Sequence, residues 1–245
     1  PGDVFVVEPD GTERRLTRVN EGLLAERTIR EPEALTIDGP EGPIDGWLLT
    51  PDGEGPHPLV VEVHGGPHVM WSASGSVWHE FQTLAERGYA VFWSNPRGSS
   101  GYGEAFAAAI EREWGSVTGA DVLAGVDAVT GRESIDEDAV FLTGGSFGGY
   151  MTAWLVGHTD RFDAAVAQRG VYDLTGFYGS TDGAYKLIEG DWGTDPWDDP
   201  ELLWEHSPAA AVPEIDAPTL VVHGENDYRV PIGGAELLYR GLRLH

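Results

Sequence analysis

Residues 141–154, FLTGGSFGGYMTAW, decide the fold of this chain. The apolar run 139–142 predicts a buried strand, and the apolar residues after the glycines predict a helix. Between them, residues 144–148 have the pattern G-x-S-x-G, which places a serine on a sharp strand-to-helix turn. Glycines suit such a turn because neighbours without Cβ leave room for a strained serine backbone and for a substrate. The pattern alone fits a tight turn without chemistry, but the strand and helix around it favour Ser146 as a nucleophile.

Strand and helix patterns alternate on both sides of this turn. Apolar runs predict buried strands at residues 58–67, 89–98, 139–145, 162–170 and 217–227. Amphipathic patterns predict helices at residues 77–88, 104–115, 118–131, 147–158 and 233–244. The third of these helices would begin at Thr118 or Asp121. Because such alternation forms βαβ units, we expect a mainly parallel sheet flanked by helices, as in the α/β-hydrolase fold.

The first part of the chain differs from this pattern. Residues 3–20 predict a β-hairpin with its turn at residues 9–11, and residues 42–53 predict an alternating strand that ends in Pro-Asp-Gly. No domain boundary is visible after residue 58. A natural polypeptide does not start translation at proline, so Pro1 leads us to expect that the chain is cut at its N-terminus.

The charge balance is strongly acidic. The chain has 41 acidic and 15 basic residues, a formal net charge of −26, and its single lysine is Lys186. The acids are scattered through periodic segments, which argues against a disordered acidic tail. At molar salt the Debye length falls to about 3 Å, so the mutual repulsion of these charges is screened. The pattern resembles proteins of salt-loving archaea with a salt-rich cytoplasm; an ordinary acidic enzyme is the alternative.

Composition also excludes several classes of protein. The chain has no cysteine, which excludes disulfides and thiolate metal sites. No window approaches about 18 consecutive apolar residues, and no secretory signal is visible. Phosphate binding needs basic patches, which this chain lacks. We therefore expect a cytoplasmic protein with no membrane or nucleic-acid partner and no cofactor or metal.

A serine nucleophile needs a base and an acid that orients the base. In the α/β-hydrolase fold these follow in the order serine, acid, histidine. The sequence LVVHGENDYRVP at residues 220–231 supplies Asp227 in a loop after a predicted strand. Glu225 in the same loop competes for the role, and either could be an exposed loop acid without function.

An oxyanion hole needs two backbone N–H groups. We expect one from Phe147, the residue after the nucleophile, and one from Gly66 in the sequence HGGP at residues 64–67. His64 in the same loop could be taken for the triad base. We interpret it as a structural histidine that holds the loop in place.

Six segments together resemble one family: HGGP, NPRGSSGYG, GGSFGGYMTAW, HTDRFDAAVAQRGVYDL, DPWDDPELLWEHSP and HGENDYRVP. They are similar to the catalytic domain of the prolyl oligopeptidase family, in the branch of acylaminoacyl peptidases and dipeptidyl aminopeptidases. The resemblance runs from about residue 36 to residue 245. It implies an α/β-hydrolase catalytic domain at residues 31–245, and the opening hairpin within residues 1–30 would be the last piece of the family's β-propeller with a linker.

The resemblance also implies roles for individual residues. It favours Ser146 as the nucleophile, Asp227 over Glu225 as the triad acid, and Gly66 and Phe147 as the oxyanion donors.

A second set of residues would bind the substrate. Tyr150 fills the family's aromatic position after the paired glycines. Val171, Leu174 and Phe177 lie in the segment that lines the primary specificity pocket of relatives, although plain core packing would explain these three equally well.

The chain departs from the family at the triad histidine. The family's base follows one further strand, whereas His245 is the only histidine after Asp227 and ends a predicted helix. We expect the base beyond residue 245, because a chain without that strand would expose a sheet edge. The domain is then cut at its C-terminus as well.

Three functions remain open on this sequence. The first is a serine peptidase that acts on short peptides through an acyl-enzyme on Ser146. The second is a carboxylesterase of the same fold. The third is a non-catalytic binding protein without a base. The sequence is compatible with a homo-oligomer and decides neither the acylation of the substrate's N-terminus nor its side-chain preference.

Overall fold

The computed structural model describes residues 2–73 and 79–245. A seven-stranded sheet lies at its centre, in the spatial order β3–β4–β6–β5–β7–β8–β9. The strands are β3 (Glu33–Gly39), β4 (Gly42–Leu49), β5 (His57–Val63), β6 (Ala90–Asn95), β7 (Ile135–Gly145), β8 (Ala164–Gln168) and β9 (Thr219–Val222). β4 runs antiparallel to β3 and β6, and all the other pairs are parallel. The expected mainly parallel sheet is confirmed.

Helices lie along the sheet and beyond its ends. They are α1 (Glu21–Ala25), α2 (His79–Glu86), α3 (Glu104–Ala108), α4 (Trp114–Thr130), α5 (Phe147–Val156), α6 (Leu174–Ser180), α7 (Tyr185–Trp192), α8 (Pro200–Glu205) and α9 (Gly233–Leu244), with a 3-10 helix at Pro208–Glu214. The predicted helix at residues 77–88 corresponds to α2, and its first two residues lie outside the described part of the chain. No described helix is both long enough and apolar enough to cross a bilayer.

The predicted hairpin near the N-terminus is present. β1 (Phe5–Val7) pairs antiparallel with β2 (Glu13–Arg15), and the two form a sheet separate from the central one. Its origin in a propeller domain stays a prediction.

The start of α4 differs from the sequence-based expectation. The helix begins at Trp114, not at Thr118 or Asp121. Arg112 has a left-handed φ of 63° and ends the preceding turn, while its N–H donates to the carbonyl of Asp191. Thr118 and Asp121 are buried and bond to Arg97 instead of capping the helix. A tertiary contact therefore sets this boundary.

The two faces of the sheet are covered differently. One face of β5 and β7 packs in the main core with α4 and α5. The opposite face is covered by α2, where Phe81 packs against Trp93. Further along that face, Leu220 and Val222 of β9 are 58% and 46% exposed. The carboxyl ends of the parallel strands meet at one edge, which places the loops after β5, β7, β8 and β9 together.

Candidate active site

Ser146 lies at the turn between β7 and α5 in a strained backbone conformation. Its φ is 62° and its ψ is −119°, a region that residues with a side chain rarely adopt. The surrounding structure holds this conformation: the N–H of Ser146 donates to the carbonyl of Gln168 at 3.0 Å, and its carbonyl accepts from Tyr150 at 3.0 Å. Strain of this kind concentrates at functional sites, so the geometry supports a nucleophile over a plain turn.

The glycines on either side of Ser146 are required by close backbone contacts. A Cβ on Gly144 would lie 2.6 Å from the carbonyl oxygen of Val63, and a Cβ on Gly148 would lie 2.0 Å from the same oxygen. Any side chain at either position would push the turn away from β5. The glycines of the G-x-S-x-G pattern therefore allow this turn to pack against the neighbouring strand.

The loop after β5 borders Ser146. A Cβ on Gly65 would lie 3.9 Å from the Oγ of Ser146. The next residue, Gly66, has a φ of 130°, and a Cβ there would lie 2.8 Å from the backbone nitrogen of His68. The N–H groups of Gly66 and Phe147 donate to no atom of residues 2–73 and 79–245. Two free N–H donors thus belong to segments that adjoin Ser146, as an oxyanion hole requires.

His64 holds the loop after β5 in place. Its Nδ1 donates to the carbonyl of Gly65 at 2.7 Å, and its Nε2 contacts the Oγ of Ser99 at 2.9 Å. The side chain is 1% exposed, and burial lowers the pKa of the imidazole because the charged form is desolvated. Both ring nitrogens are occupied away from Ser146, which agrees with the structural role expected for His64.

The two candidate acids after β9 have different surroundings. The Oδ1 of Asp227 accepts the N–H groups of Arg229 and Val230 at 3.0 and 2.9 Å. Glu225 is exposed and makes no hydrogen bond or ion pair within the described part of the chain. Because Oδ1 is held by the backbone, Oδ2 of Asp227 is free to orient an imidazole, which favours Asp227 as the triad acid.

His223 lies nearest to this acid, and sequence reasoning gave it no role. Its Nε2 is 3.7 Å from the Oδ2 of Asp227 but donates to the carbonyl of Val230 at 2.6 Å. The Oγ of Ser146 has no hydrogen-bond partner among the described residues. The structure therefore assigns none of the described histidines as the base. No described group of histidine and acidic side chains is arranged as a metal site.

The predicted substrate-binding residues fall into two groups. Val171 and Phe177 line a cavity of about 260 Å³ that also borders Val230. Tyr150 and Leu174 have no exposed surface. The hydroxyl of Tyr150 donates to the carbonyl of His206 at 2.9 Å, and burial raises the pKa of this phenol well above its usual value. In this conformation Tyr150 supports the core beneath the nucleophile turn, and the substrate contacts of all four stay predictions.

Arg169 is a residue at this edge that the sequence did not indicate. It follows β8 directly, has a left-handed φ of 41°, and its guanidinium would contact a Cβ on Gly145 at 2.8 Å. A non-glycine residue in this conformation has no signature in a single sequence, so only the backbone geometry could identify it.

Comparison with known proteins decides the family. Residues 75–245 match the sequence profile of the prolyl oligopeptidase family. The chain belongs to the prolyl oligopeptidase family. An uncharacterized peptidase of Bacillus subtilis, YuxL, is 39% identical over 99% of this chain and 37% of its own length. Dipeptidyl-peptidase 5 of Schizosaccharomyces pombe is 31% identical over 86% of this chain and 32% of its own length.

Solved structures of the prolyl oligopeptidase family support the same fold. Pyrococcus horikoshii acylaminoacyl peptidase superposes with a TM-score of 0.88 at 30% identity, over 96% of this chain and 38% of that one. The α/β-hydrolase fold expected from the sequence is confirmed. The chain spans about a third of the length of these family members, so the activity of the whole polypeptide is a proposal.

Proposed function

We propose that the full-length polypeptide is a serine peptidase that releases an acylated residue or a dipeptide from the N-terminus of short peptides. The observation that carries the proposal is the strained Ser146 beside Gly65, with free N–H groups on Gly66 and Phe147. The named relatives, a dipeptidyl-peptidase and an acylaminoacyl peptidase, support this substrate class.

Each residue has one part in the proposed reaction. The Oγ of Ser146 attacks the peptide carbonyl while a histidine takes its proton, and the carbonyl oxygen becomes an oxyanion held by Gly66 and Phe147. The histidine then gives that proton to the leaving amine as the C–N bond breaks. Water then attacks the acyl-enzyme while the histidine takes its proton. That proton returns to the Oγ of Ser146 as the ester bond breaks and the acyl group leaves as a carboxylic acid. Asp227 orients the imidazole and stays ionised throughout.

We propose that the base is a histidine outside the described residues. His64 and the Nε2 of His223 bond to groups other than Ser146, and the Oγ of Ser146 has no hydrogen-bond partner within the described chain.

A fluorophosphonate probe tests the nucleophile. In the full-length polypeptide we expect covalent labelling at Ser146 and none in Ser146→Ala, because the probe reacts with a serine activated by its base and oxyanion hole. The measurement is in-gel fluorescence followed by mass spectrometry of the labelled peptide. Ser116→Ala is a matched control, since the exposed hydroxyl of Ser116 donates to Glu113 at the start of α4, away from Ser146 in the chain. Labelling that survives in Ser146→Ala would refute the assignment.

A pair of substrates tests the chemistry. A peptidase should hydrolyse a blocked or dipeptidyl p-nitroanilide, and hydrolysis of p-nitrophenyl esters alone would identify a carboxylesterase instead. Labelling without turnover of either substrate would contradict the peptidase proposal.

We further propose that the polypeptide works in a salt-rich cytoplasm. The support is the net charge of −26 together with the single lysine, Lys186.

A further inference from the structure

A second histidine of the loop after β5 contacts a carboxylate on α7. The Nδ1 of His68 lies 2.9 Å from the carbonyl oxygen of Gly98, and its Nε2 lies 3.1 and 3.3 Å from the two carboxylate oxygens of Asp191. His68 is two residues after Gly66, the expected oxyanion donor. The side chain of Asp191 is only 12% exposed, so its carboxylate is largely shielded from water.

The two partners of His68 determine how many of its ring nitrogens must carry a hydrogen. A carbonyl oxygen and a carboxylate oxygen are both acceptors and carry no hydrogen to donate. Both contacts are hydrogen bonds at the same time only when both ring nitrogens carry a hydrogen. The imidazole then bridges Gly98 and Asp191 as a charge-assisted pair, which is stronger than a neutral hydrogen bond.

The same carboxylate accepts a hydrogen bond from the other side of the site. The indole Nε1 of Trp114 donates to the Oδ2 of Asp191 at 2.8 Å. Trp114 is 1% exposed, and its ring meets the ring of Phe147 edge to face with centroids 5.4 Å apart. Phe147 carries the second free N–H beside Ser146. Asp191 is therefore linked through one side chain to each segment that supplies an oxyanion donor.

We propose that Asp191 is a positioning residue that holds the two halves of the oxyanion hole in register, through His68 on the Gly66 side and Trp114 on the Phe147 side. The proposal rests on the serine-peptidase function proposed above. Oxyanion donors act in the transition state, and displacement of a reacting group by about 1 Å costs up to a hundredfold in rate. The effect should fall on kcat and spare KM, since ground-state binding makes little use of these donors.

Three variants of the full-length polypeptide test this role with a peptide p-nitroanilide. We expect His68→Ala and Asp191→Ala to lower kcat about ten- to a hundredfold with KM changed less than about threefold. Asp191→Asn should keep kcat within about threefold of wild type, because its amide oxygen can still accept from Trp114. Its NH₂ can donate to the bare Nε2 of a neutral His68.

The control is His158→Ala. His158 is an exposed histidine that stacks on Trp154 at the far end of α5 and makes no direct contact with Asp191, so the kcat of His158→Ala should match that of wild type. Unfolding midpoints of all variants are measured by circular dichroism. If Asp191→Ala does not fold, the more exposed His68→Ala still decides the matter.

Three results would overturn the role of Asp191. The first is an unchanged kcat in His68→Ala. The second is a rise in KM with kcat unchanged in either alanine variant, and the third is a fall in the kcat of Asp191→Asn as large as that of Asp191→Ala. Each of them leaves the peptidase proposal intact as long as wild type turns over substrate. A wild-type polypeptide without labelling or turnover would overturn the proposed function and, with it, this role.

Discussion

Asp227→Asn is expected to lower the kcat of the full-length polypeptide by about 10⁴-fold, with the fold unchanged. The backbone N–H groups of Arg229 and Val230 already hold Oδ1 of this carboxylate. An asparagine would keep its amide oxygen at that position because only the oxygen can accept these hydrogen bonds. Its NH₂ then occupies the position of Oδ2 and faces the imidazole with a donor, which favours the wrong tautomer of the base.

Glu225→Gln is the matched control for this prediction. Glu225 lies two residues away in the same loop, is exposed, and has no bonded partner in the described chain. Its kcat should stay within about twofold of wild type, the range expected for an exposed side chain outside the chemistry. Steady-state kinetics on a peptide p-nitroanilide measure both variants. A large fall in the kcat of Glu225→Gln with a small fall in that of Asp227→Asn would instead identify Glu225 as the triad acid.

The unfolding midpoint of the full-length polypeptide is expected to rise by about 10 °C or more between dilute buffer and molar KCl. The folded chain concentrates a net charge of −26, and within the described residues ion pairs with arginine involve only twelve of its 41 acids. The remaining acids repel one another at low ionic strength. Screening removes this repulsion mainly from the folded state, because the unfolded chain already separates its charges.

Thermal unfolding followed by circular dichroism at constant pH, from ~0.1 M to ~3 M KCl, measures this response. Sodium chloride should have the same effect if screening is the cause. The control variant combines Glu54→Lys, Glu137→Lys and Glu214→Lys, three exposed acids that form no ion pair within the described residues. Each substitution replaces a negative charge with a positive one and so makes the net charge less negative by two. Its midpoint should rise less with salt. A flat midpoint in the wild-type polypeptide would refute the halophilic proposal and the salt-rich cytoplasm.

Much of the site could be predicted because its requirements are local in the chain. The glycines at 144 and 148 must lack a Cβ to fit against β5, so the turn leaves a short pattern that can be read without a structure. Asp227 and Gly66 follow predicted strands, and the carboxyl ends of parallel strands meet at one edge. The order of these segments therefore predicts that they lie on the same edge of the sheet as Ser146.

Other features could not be predicted because they depend on contacts between distant segments. The start of α4 at Trp114 is set by Arg112, whose N–H bonds to Asp191. The link from His68 to Asp191 joins residues 123 positions apart. No periodicity or local pattern records such a contact, since each partner alone is an ordinary polar residue in a loop or helix.

The order of apolar runs and glycines thus predicted the α/β fold and the turn at Ser146, because these features depend on neighbours in the chain. Composition alone determined the net charge. Three features required the folded chain: the strained φ of Ser146, the backbone hydrogen bonds that hold Oδ1 of Asp227, and the contacts of His68 and Trp114 with Asp191. Their physical basis is the distance and direction between side chains and backbone groups, which exist only once the sheet has brought separate loops to one edge.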